Sequence, residues 1–413
     1  MKTMKFRIEP NSEQRSAIDH NIEANRLVYN NFLTACRSVY DDTGRLPTVF
    51  DLNKLGTRMR HDCAFVAKAY SLTLNETAKR ALTACQRTLA EHMHSWGVYN
   101  LETGFSKDPF HFPRYRSRTQ FDSFTYPSAR DYSIVTEKNS RGCNVRRLRL
   151  GKVPGLIRCY NQRTKLKGDL RTCTIVRKDM GKYCLYYACI AYEPLPEKSK
   201  KDIVKAPVGV DIGISNIVAL SDGTVFPGEH PYLRREKELK KESERLSRTL
   251  PYTEKYDKQR TKLNHIYSDI DNHRKNTIET ISRYIADRHD VIAMEDLSVR
   301  ALRIKAKNSR MVKGYNDVRL GELRRRIQSK AESAGGVVVL VNPRDTSQIC
   351  SGCGTLVKKD LSVRIHVCPV CDLKIDRDVN AARNILARAL SITPMGSTGD
   401  PRPGHVRAEK PAA

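Results

Sequence analysis

The alternation of apolar and polar positions predicts a short strand over residues 3–9, which Pro10 ends. Asn11 or Ser12 is then placed to cap a helix. The apolar positions of that helix recur at roughly helical spacing: Ile18, Ile22, Leu27 and Val28. Helical patterns with breaks continue to about residue 99. We therefore predict a helical bundle over residues 11–109.

A basic region follows the predicted bundle. Residues 105–168 contain fifteen Lys or Arg against four Asp or Glu, with aromatic side chains between them. Basic groups suit phosphates and aromatic faces suit unstacked bases, so this mixture favours a surface for single-stranded nucleic acid or guide RNA. An antiparallel sheet with core aromatics and solvated arginines would give the same pattern, and the two interpretations are compatible. The candidate contact residues are Arg114, Tyr115, Arg116, Arg118, Phe124, Arg146 and Arg147.

Two strands and a linker are predicted next. Residues 172–192 alternate in strand fashion around 178–182, which indicates a hairpin. Two prolines and the charged run 197–205 are typical of a linker, so a second domain is expected to begin near Pro207. At the other end of the chain, residues 391–413 are rich in Pro, Gly and Ala, and we predict a disordered tail there.

Composition limits the classes of protein and of partner. Of 413 residues, 39% are hydrophobic and 29% charged, which excludes a disordered or fibrous chain. There are 74 Lys or Arg and 46 Asp or Glu, a formal net charge of +28. So large an excess favours a polyanionic partner, above all nucleic acid, over a surface charged only for solubility.

The compartment is expected to be the cytoplasm, in association with the nucleoid, and no membrane partner is expected. No apolar segment of the signal-peptide type follows the first residues, and the longest apolar run, 183–192, is too short to span a bilayer. Eight of the twelve cysteines occur singly, which is typical of buried thiols in a reducing compartment.

Three carboxylates stand where strands and a helix place functional groups. Asp211 lies in an apolar strand that a Gly-containing turn joins to a second strand; both actin-like ATPases and RNase H-like nucleases begin in this way. Glu295 ends another apolar strand, after a long helical stretch over 255–290. Asp376 and Asp378 stand in the first turn of a predicted helix, where an acid is also favourable simply as a cap.

Together, the three acids indicate metal-dependent chemistry. A carboxylate triad can hold two divalent cations on either side of a scissile phosphate. We expect Asp211 to bridge both ions while Glu295 and Asp378 complete the site. The predicted reaction is phosphodiester hydrolysis.

Four cysteines predict a separate, structural metal site. Cys350 and Cys353 form one CxxC pair, and fourteen residues later Cys368 and Cys371 form another. Two such pairs give a closed tetrahedral zinc site, and their occurrence in series argues against a redox CxxC motif. The loop between the pairs carries basic groups that could touch a nucleic-acid backbone: Lys358, Lys359, Arg364 and His366.

Several enzyme classes are disfavoured because their motifs do not occur. The sequence contains no GxxxxGK[ST], GxGxxG, HExxH or GxSxG pattern. An actin-like kinase would also need a second Gly-rich phosphate loop, and none follows where it would be required. A zinc ribbon before the last acid would be unusual in such a kinase.

The order of these motifs resembles the TnpB family of insertion-sequence-encoded nucleases. The motifs are the DIG strand, the MEDL strand, the TSQICSGCG and CPVC knuckles and the DRDVNAARNI helix. Two earlier segments are also similar to the family: the opening with IEPNSEQ and RLVYN, and FPRY in the basic region. The resemblance covers most of residues 1–390 and is strongest over 208–386.

The resemblance implies an α/β multidomain, bilobed protein. A wedge β-barrel (1–10 and 110–205) and a helical recognition bundle (11–109) would form the first lobe. The second lobe would be an RNase H-like (RuvC-like) nuclease over 206–345 and 375–390, with the four-cysteine zinc ribbon inserted at 346–374. Asp211, Glu295 and Asp378 match the three acids of the family, and Asp378 is preferred over Asp376 because it directly precedes VNAA.

The implied activity is Mg²⁺-dependent cleavage of double-stranded DNA beside a short adjacent motif, directed by a structured guide RNA. A compact type V CRISPR effector would keep the same acids and cysteines. The motifs are also compatible with an RNA-guided DNA-binding regulator that rarely cuts, and with a guide-independent nuclease that carries a zinc ribbon. The sequence does not indicate the oligomeric state.

Overall fold

The computed structural model describes residues 1–102, 111–138, 140, 142, 144–160, 168–195, 205–297, 302, 304, 306, 308–360 and 363–392. The chain divides into two compact units, residues 1–200 and 201–413. The predicted linker at 197–205 spans this boundary, although residues 196–204 lie outside the described part, as do residues 393–413 of the predicted tail.

Helices of the first unit follow a single N-terminal strand, β1 (Lys2–Glu9). They are α1 (Ser12–Thr43), α2 (Val49–Asp62), α3 (Ala64–Ala67) and α4 (Ser71–Glu102). Asn11 caps α1 through a reciprocal pair of bonds with Gln14, in which each side chain accepts from the other residue's backbone N–H. The predicted strand, the proline that ends it and the cap are therefore confirmed.

Six more strands complete an antiparallel sheet of seven. They are β2 (Ser123–Tyr126), β3 (Tyr132–Lys138), β4 (Asn144–Leu150), β5 (Ile157–Cys159), β6 (Gly168–Asp179) and β7 (Cys184–Pro194). The strand order is β2-β6-β7-β1-β5-β4-β3. The predicted hairpin joins β6 to β7, with Asp179 paired to Cys184.

One hydrophobic core serves both the helices and the sheet of this unit. It includes Phe32 from α1 and Ile190 from β7, both fully buried. Four aromatic residues of the basic region also belong to this core: Phe121, Phe124, Tyr126 and Tyr132. The core-sheet interpretation of these side chains is therefore the right one, and the predicted division between bundle and barrel does not coincide with a break in the core.

The second unit contains seven further strands and five helices among its described residues. The strands are β8 (Val208–Ile212), β9 (Asn216–Leu220), β10 (Val225–Pro227), β11 (Val291–Glu295), β12 (Val337–Val341), β13 (Ile365–Val367) and β14 (Lys374–Asp376). The helices are α5 (Pro231–Ser247), α6 (Glu254–Arg288), α7 (Ser309–Val318), α8 (Leu320–Ser333) and α9 (Arg377–Ile392).

A five-stranded sheet organises this unit, in the order β10-β9-β8-β11-β12. Its first three strands are antiparallel, whereas β8, β11 and β12 run parallel. Alternate residues of β8 and β11 pack on opposite sides. Val210 and Met294 face a core that contains Ile281 of α6 and Leu323 of α8, whereas Ala293 packs with Ile385 of α9.

Helix α9 lies very close to strand β8. A Cβ atom added at Gly209 would come within 1.9 Å of the carbonyl oxygen of Ala382, so only glycine allows this approach. Ala381 and Ala382 are fully buried at the same contact. The small residues of the NAA sequence therefore bring the start of α9 to the side of β8 that carries Asp211.

Across the described helices, none combines the length and the apolar character that crossing a membrane requires.

Candidate active site and metal centre

Asp211 and Glu295 stand at the same level of two adjacent parallel strands. Val210 of β8 pairs with Met294 of β11, and each acid is the next residue of its strand. Side chains at matching positions of neighbouring strands project to the same face. Because Val210 and Met294 face α6 and α8, the two carboxylates face α9.

Helix α9 contributes the third carboxylate from its first turn. The carboxylate of Asp376 accepts from the backbone N–H groups of Asp378 (2.8 Å) and Val379 (3.1 Å), so Asp376 caps the helix. Asp378 is 8% exposed and is directed to other groups. The two neighbouring acids therefore have different structural roles.

Three polar side chains surround the carboxylate of Asp378. Arg377 donates to Oδ1 from Nε (3.1 Å) and Nη2 (3.0 Å), and Asn216 donates to Oδ2 (3.0 Å). The guanidinium of Arg364 lies 3.8 Å from Oδ2 and also donates to the hydroxyl of Ser215. These contacts fix the orientation of Asp378, and no sequence motif had indicated a role for Arg377 or Asn216.

The three acids influence one another electrostatically. Burial raises the pKa of Asp211 well above its usual range, and the charges of Glu295 and Asp378 raise it further. Burial also raises the pKa of Glu295, against the opposing effects of Thr346 and Arg388. The fold thus holds mutually repelling carboxylates together, an arrangement typical of functional sites.

The four cysteines form a tighter cluster than the acids. Their sulfur atoms all lie within 4.8 Å of one another, and within the described residues this is the group that meets such a spacing. Cys350 and Cys371 are 3.6 Å apart, and Cys353 and Cys368 are 3.5 Å apart. A tetrahedral metal with bonds of about 2.3 Å places sulfurs about 3.8 Å apart, so the cluster fits such an ion.

Two turns of the same construction present these thiols. In each, the residue after the second cysteine has a left-handed backbone: φ is +77° at Gly354 and +56° at Asp372. Each of these residues also donates its backbone N–H to the carbonyl of the first cysteine, at 2.9 Å for Gly354 and 3.0 Å for Asp372. The CxxC spacing is therefore sufficient to shape each half of the site locally.

A short hairpin of β13 and β14 leads from the cysteines to α9. His366 lies at its centre, is fully buried and contacts Lys359. The expectation that His366 touches a nucleic-acid backbone is therefore wrong, because its ring is enclosed by the hairpin. Lys358 and Arg364 are exposed, and Lys359 is half-buried.

Two asparagines of α9 join the cysteine cluster to the acidic face. Asn380 accepts from the backbone N–H of Ser351 (2.9 Å) and donates to the carbonyl of Ile349 (2.7 Å). Asn384 donates to the carbonyls of Thr346 (2.8 Å) and Ile349 (2.7 Å). The hydroxyl of Thr346 in turn donates to Glu295. Both asparagines stand in the DRDVNAARNI motif, but the sequence alone indicated no role for them.

The basic segment of the first unit is attached to helix α1. Asn30 accepts from the backbone N–H of Arg116 (2.8 Å) and donates to its carbonyl oxygen (3.0 Å). Arg26 donates to the same carbonyl (3.0 Å). The side chains of Arg114, Tyr115, Arg116 and Arg118 are exposed, as a nucleic-acid contact requires.

The remaining predicted contact residues are less accessible. Phe124 is fully buried in the core, so its ring cannot stack on a base, and its assignment as a contact residue is wrong. Arg146 and Arg147 of β4 are half-buried, and Arg147 Nε lies 2.8 Å from Glu137. Strand alternation alone did not indicate which face the aromatic residues occupy.

The sheet, the acidic face and the cysteine ribbon define a mixed α/β fold. A solved structure with a similar fold aligns over almost the whole chain. The structure of the mini-RNA-guided endonuclease CRISPR-Cas_phi3 aligns with a TM-score of 0.50 and 10% identity, over 96% of this chain and 93% of that chain. Three family models also match: OrfB_IS605, described as a probable transposase, at 189–305, a helix-turn-helix domain model at 1–45, and the Cas12f1-like TNB domain at 321–385.

Two curated relatives identify the family. The candidate RNA-guided DNA endonuclease InsQ of Escherichia coli (strain K12) is 30% identical over 298 residues, which are 69% of this chain and 70% of InsQ. A candidate RNA-guided DNA endonuclease of Streptomyces pristinaespiralis is 27% identical over 96% of this chain and 91% of its own length. The chain belongs to the TnpB family, as its motifs had indicated.

Proposed function

We propose that this chain is an RNA-guided endonuclease that hydrolyses double-stranded DNA beside a short adjacent motif, in association with a transposable element. Its relatives are named for RNA-guided action on DNA. The single observation that carries the proposal is the convergence of Asp211, Glu295 and Asp378 on the α9 side of the parallel strands. Metal-dependent phosphodiester hydrolysis needs a set of carboxylates of this kind.

The second unit is proposed to be the RNase H-like (RuvC-like) nuclease. Its sheet has three antiparallel strands followed by two parallel ones, with acids on β8, β11 and α9. The four-cysteine ribbon is inserted between β12 and α9, over residues 346–374. In the first unit, the seven-stranded sheet would act as the wedge and α1–α4 as the recognition bundle.

Mg²⁺ fits the acidic face on chemical grounds. Hard carboxylate oxygens are the ligands that Mg²⁺ prefers, and two bound cations would offset the repulsion that raises the pKa of Asp211. Asp211, Glu295 and Asp378 would hold the ions. When bound, the ions supply activation of a water molecule and stabilisation of the leaving oxygen.

The chain's own groups orient these ligands. Asn216 and Arg377 hold the two oxygens of Asp378, so that acid cannot rotate freely. Thr346 fixes one oxygen of Glu295, and Asn384 fixes the backbone of Thr346. Such supporting bonds set the direction of carboxylate ligands.

Zn²⁺ is the metal proposed for the four cysteines. Four thiolates at tetrahedral spacing satisfy this ion fully, which leaves no position for a substrate and makes the role structural. The proposed partners are a structured guide RNA and double-stranded DNA, which the net charge of +28 suits. A DNA-cutting protein of this kind would act at the nucleoid, in the cytoplasm.

Substitution of Asp211 tests the proposed activity. The protein is expressed from a gene that keeps its native flanking DNA. It is then purified, and the RNA that co-purifies with it is sequenced. In that complex, Asp211→Asn should abolish cutting of plasmid DNA matching the guide and leave DNA binding intact. Asp222→Asn, in the exposed turn after β9, is the matched control and should cut normally. Unchanged cutting by Asp211→Asn, or no enriched RNA, would refute the proposal.

A compact type V CRISPR effector is the second candidate, because residues 321–385 match the domain model named for Cas12f1-like proteins. The source of the accompanying RNA distinguishes the two. An RNA whose variable 3′ end maps beside an insertion element supports the transposon nuclease, whereas a repeat-array origin supports the CRISPR effector.

A further inference from the structure

Helix α1 holds the basic segment 114–118 chiefly through the backbone of Arg116. Asn30 bonds both the N–H and the carbonyl of Arg116, and Arg26 adds a second donor to that carbonyl. The bonds use no side-chain atom of Arg116. The attachment therefore leaves the guanidinium groups of Arg114 and Arg116 available, whereas that of Arg118 pairs with Glu23 of α1.

Arginines converge on this segment from three directions. Arg26 comes from α1, Arg80 from α4, and Arg114, Arg116 and Arg118 from the segment itself. Glu23 pairs with Arg26 (2.7 Å) and Arg118 (3.1 Å). Burial lowers the pKa of Arg80; the charges of Tyr29 and Asp122 oppose this effect, and the smaller effect of Arg116 adds to it.

Arg114 and Arg116 carry positive charge that the protein itself does not neutralise. Within the described residues, no carboxylate lies within ion-pair distance of Arg114 or Arg116. A phosphate backbone placed along the segment would neutralise these cations and release its own counterions, which is the main source of affinity for nucleic acids.

Tyr115 adds an aromatic surface to the same segment. Its ring is 52% exposed, and its hydroxyl lies 3.1 Å from the hydroxyl of Thr34 on α1. A tyrosine anchored at its polar end loses little conformational entropy when a base stacks on it. Phe112 and Arg37, which stack with 6.0 Å between guanidinium and ring, border the segment.

We propose that residues 114–118 form a preformed site for the guide RNA, in which Arg114 and Arg116 bind phosphates and Tyr115 stacks on an unpaired base. Asn30 is the positioning residue of this site, and Arg26 supports it. The proposal rests on the proposed function, since it assumes that the chain carries a guide RNA.

Unpaired bases favour RNA over the DNA target as the occupant. A structured RNA offers splayed bases in its loops, bulges and single-stranded segments, whereas the bases of duplex DNA are stacked inside the helix. An aromatic ring fixed beside arginines is the usual platform for unpaired nucleotides. A site for duplex backbone alone would have no use for Tyr115.

Salt-dependent binding of the accompanying RNA tests the phosphate contacts. The RNA eluted from the wild-type complex is labelled, and its affinity for RNA-free protein is measured between about 50 and 300 mM salt. Loss of each phosphate contact with single-stranded RNA reduces the slope of log K against log salt by about 0.7. The double variant Arg114→Ala/Arg116→Ala should reduce it by about 1.4.

A matched control separates the site from general charge. Arg45→Ala removes the same charge from an exposed position just after α1, whose C-terminal end lies about 20 Å along the helix axis from Asn30. It should weaken binding less than the change Arg116→Ala alone. Equal weakening by Arg45→Ala and Arg116→Ala would mean that only net charge matters, and the site would be refuted.

Substitutions of the platform and of the positioning residue complete the test. Tyr115→Ala should raise the Kd for the RNA about tenfold, whereas Tyr115→Phe, which keeps the ring, should stay within about twofold of wild type. Asn30→Ala should raise the Kd without reducing the salt slope, because the arginines remain but are no longer ordered. Thermal unfolding of each variant shows that the fold is retained.

The outcomes distinguish the two levels of the proposal. If no RNA accompanies the protein, the proposed function itself fails. If RNA binds and the segment variants bind it as wild type does, this inference fails while the function stands. Weakened binding of duplex DNA with unchanged RNA affinity would assign the segment to the target, which also overturns the inference.

Discussion

The carboxylate face and the four-cysteine cluster of the second unit are both suited to metals, but the chain builds them differently. The acids come from residues 211, 295 and 378, brought together by strand pairing and by the approach of α9 to β8. The cysteines come from two similar turns within residues 350–371, each shaped by its own backbone bonds. One site depends on the whole sheet, and the other depends mainly on local turns.

The difference extends to electrostatic energy. The pKa of Asp211 is raised by burial and by its neighbouring acids. Repulsion between these carboxylates therefore lowers the stability of the fold. At the cysteines, close sulfur atoms match the spacing that one ion requires. A site that costs stability is expected to serve a reaction, whereas a locally complete metal site is expected to serve structure.

The strongest test of this contrast compares two adjacent acids. Glu295→Gln should reduce DNA cleavage by about 10²- to 10³-fold, because several kcal/mol of transition-state stabilisation depend on the metal ligands. Asp296→Asn should cut as wild type does, since Asp296 is 66% exposed and only pairs with Arg324 at 3.3 Å. Cleavage rates with RNA-loaded protein provide the measurement, and similar losses in both variants would contradict the assignment.

Removal of one thiol tests the local site. Cys368→Ser should reduce bound zinc from about one ion per chain to almost none and should lower the unfolding temperature. Cys63→Ser, which alters a single cysteine of the first unit, should keep the zinc. Mass spectrometry measures the zinc content of both variants, and thermal unfolding measures their stability. Full zinc retention in Cys368→Ser would exclude the four-cysteine assignment.

The approach of α9 to β8 is tested at Gly209. An alanine there would place its Cβ against backbone, 1.9 Å from the carbonyl oxygen of Ala382, so α9 must move. Gly209→Ala should cost about 3 kcal/mol or more of unfolding free energy and reduce cleavage, with zinc retained. Gly56→Ala, whose Cβ would meet the side chain of Phe32 at 3.2 Å rather than backbone, should cost less. Denaturant unfolding compares the two.

The smallest change in stability is expected on substitution of Glu23. Its pKa is lowered, whereas that of Asp211 is raised. Hydrogen bonding from Arg26, together with Arg118, lowers the pKa of Glu23. The stabilisation is therefore present above the ordinary carboxyl pKa and is lost as the pH falls through the lowered value. At neutral pH, the free energy of unfolding of the wild type should exceed that of Glu23→Gln by roughly 0.5–1 kcal/mol. The difference should vanish in strong acid, below the lowered pKa of Glu23. A difference independent of pH would contradict this.

The sequence predicted those parts of the molecule that follow from periodicity. Strand alternation and helical spacing located β1, β8, β11 and α9, and parallel pairing then places Asp211 beside Glu295. Residues Asn380 and Asn384 could not be assigned, because their partners are backbone groups about thirty residues away and leave no periodic signal. The aromatic residues of the basic region misled for another reason: alternation shows that two faces differ, but not which of them is buried.

Asn30 has a consequence for how this protein can change over time. Its side-chain amide hydrogen-bonds only the backbone N–H and carbonyl of Arg116. Every residue except proline has both of these groups. The side chain at position 116 can therefore be exchanged without loosening the segment from α1. Substitutions in the segment could therefore change what it binds, one side chain at a time, while its attachment to α1 stays the same.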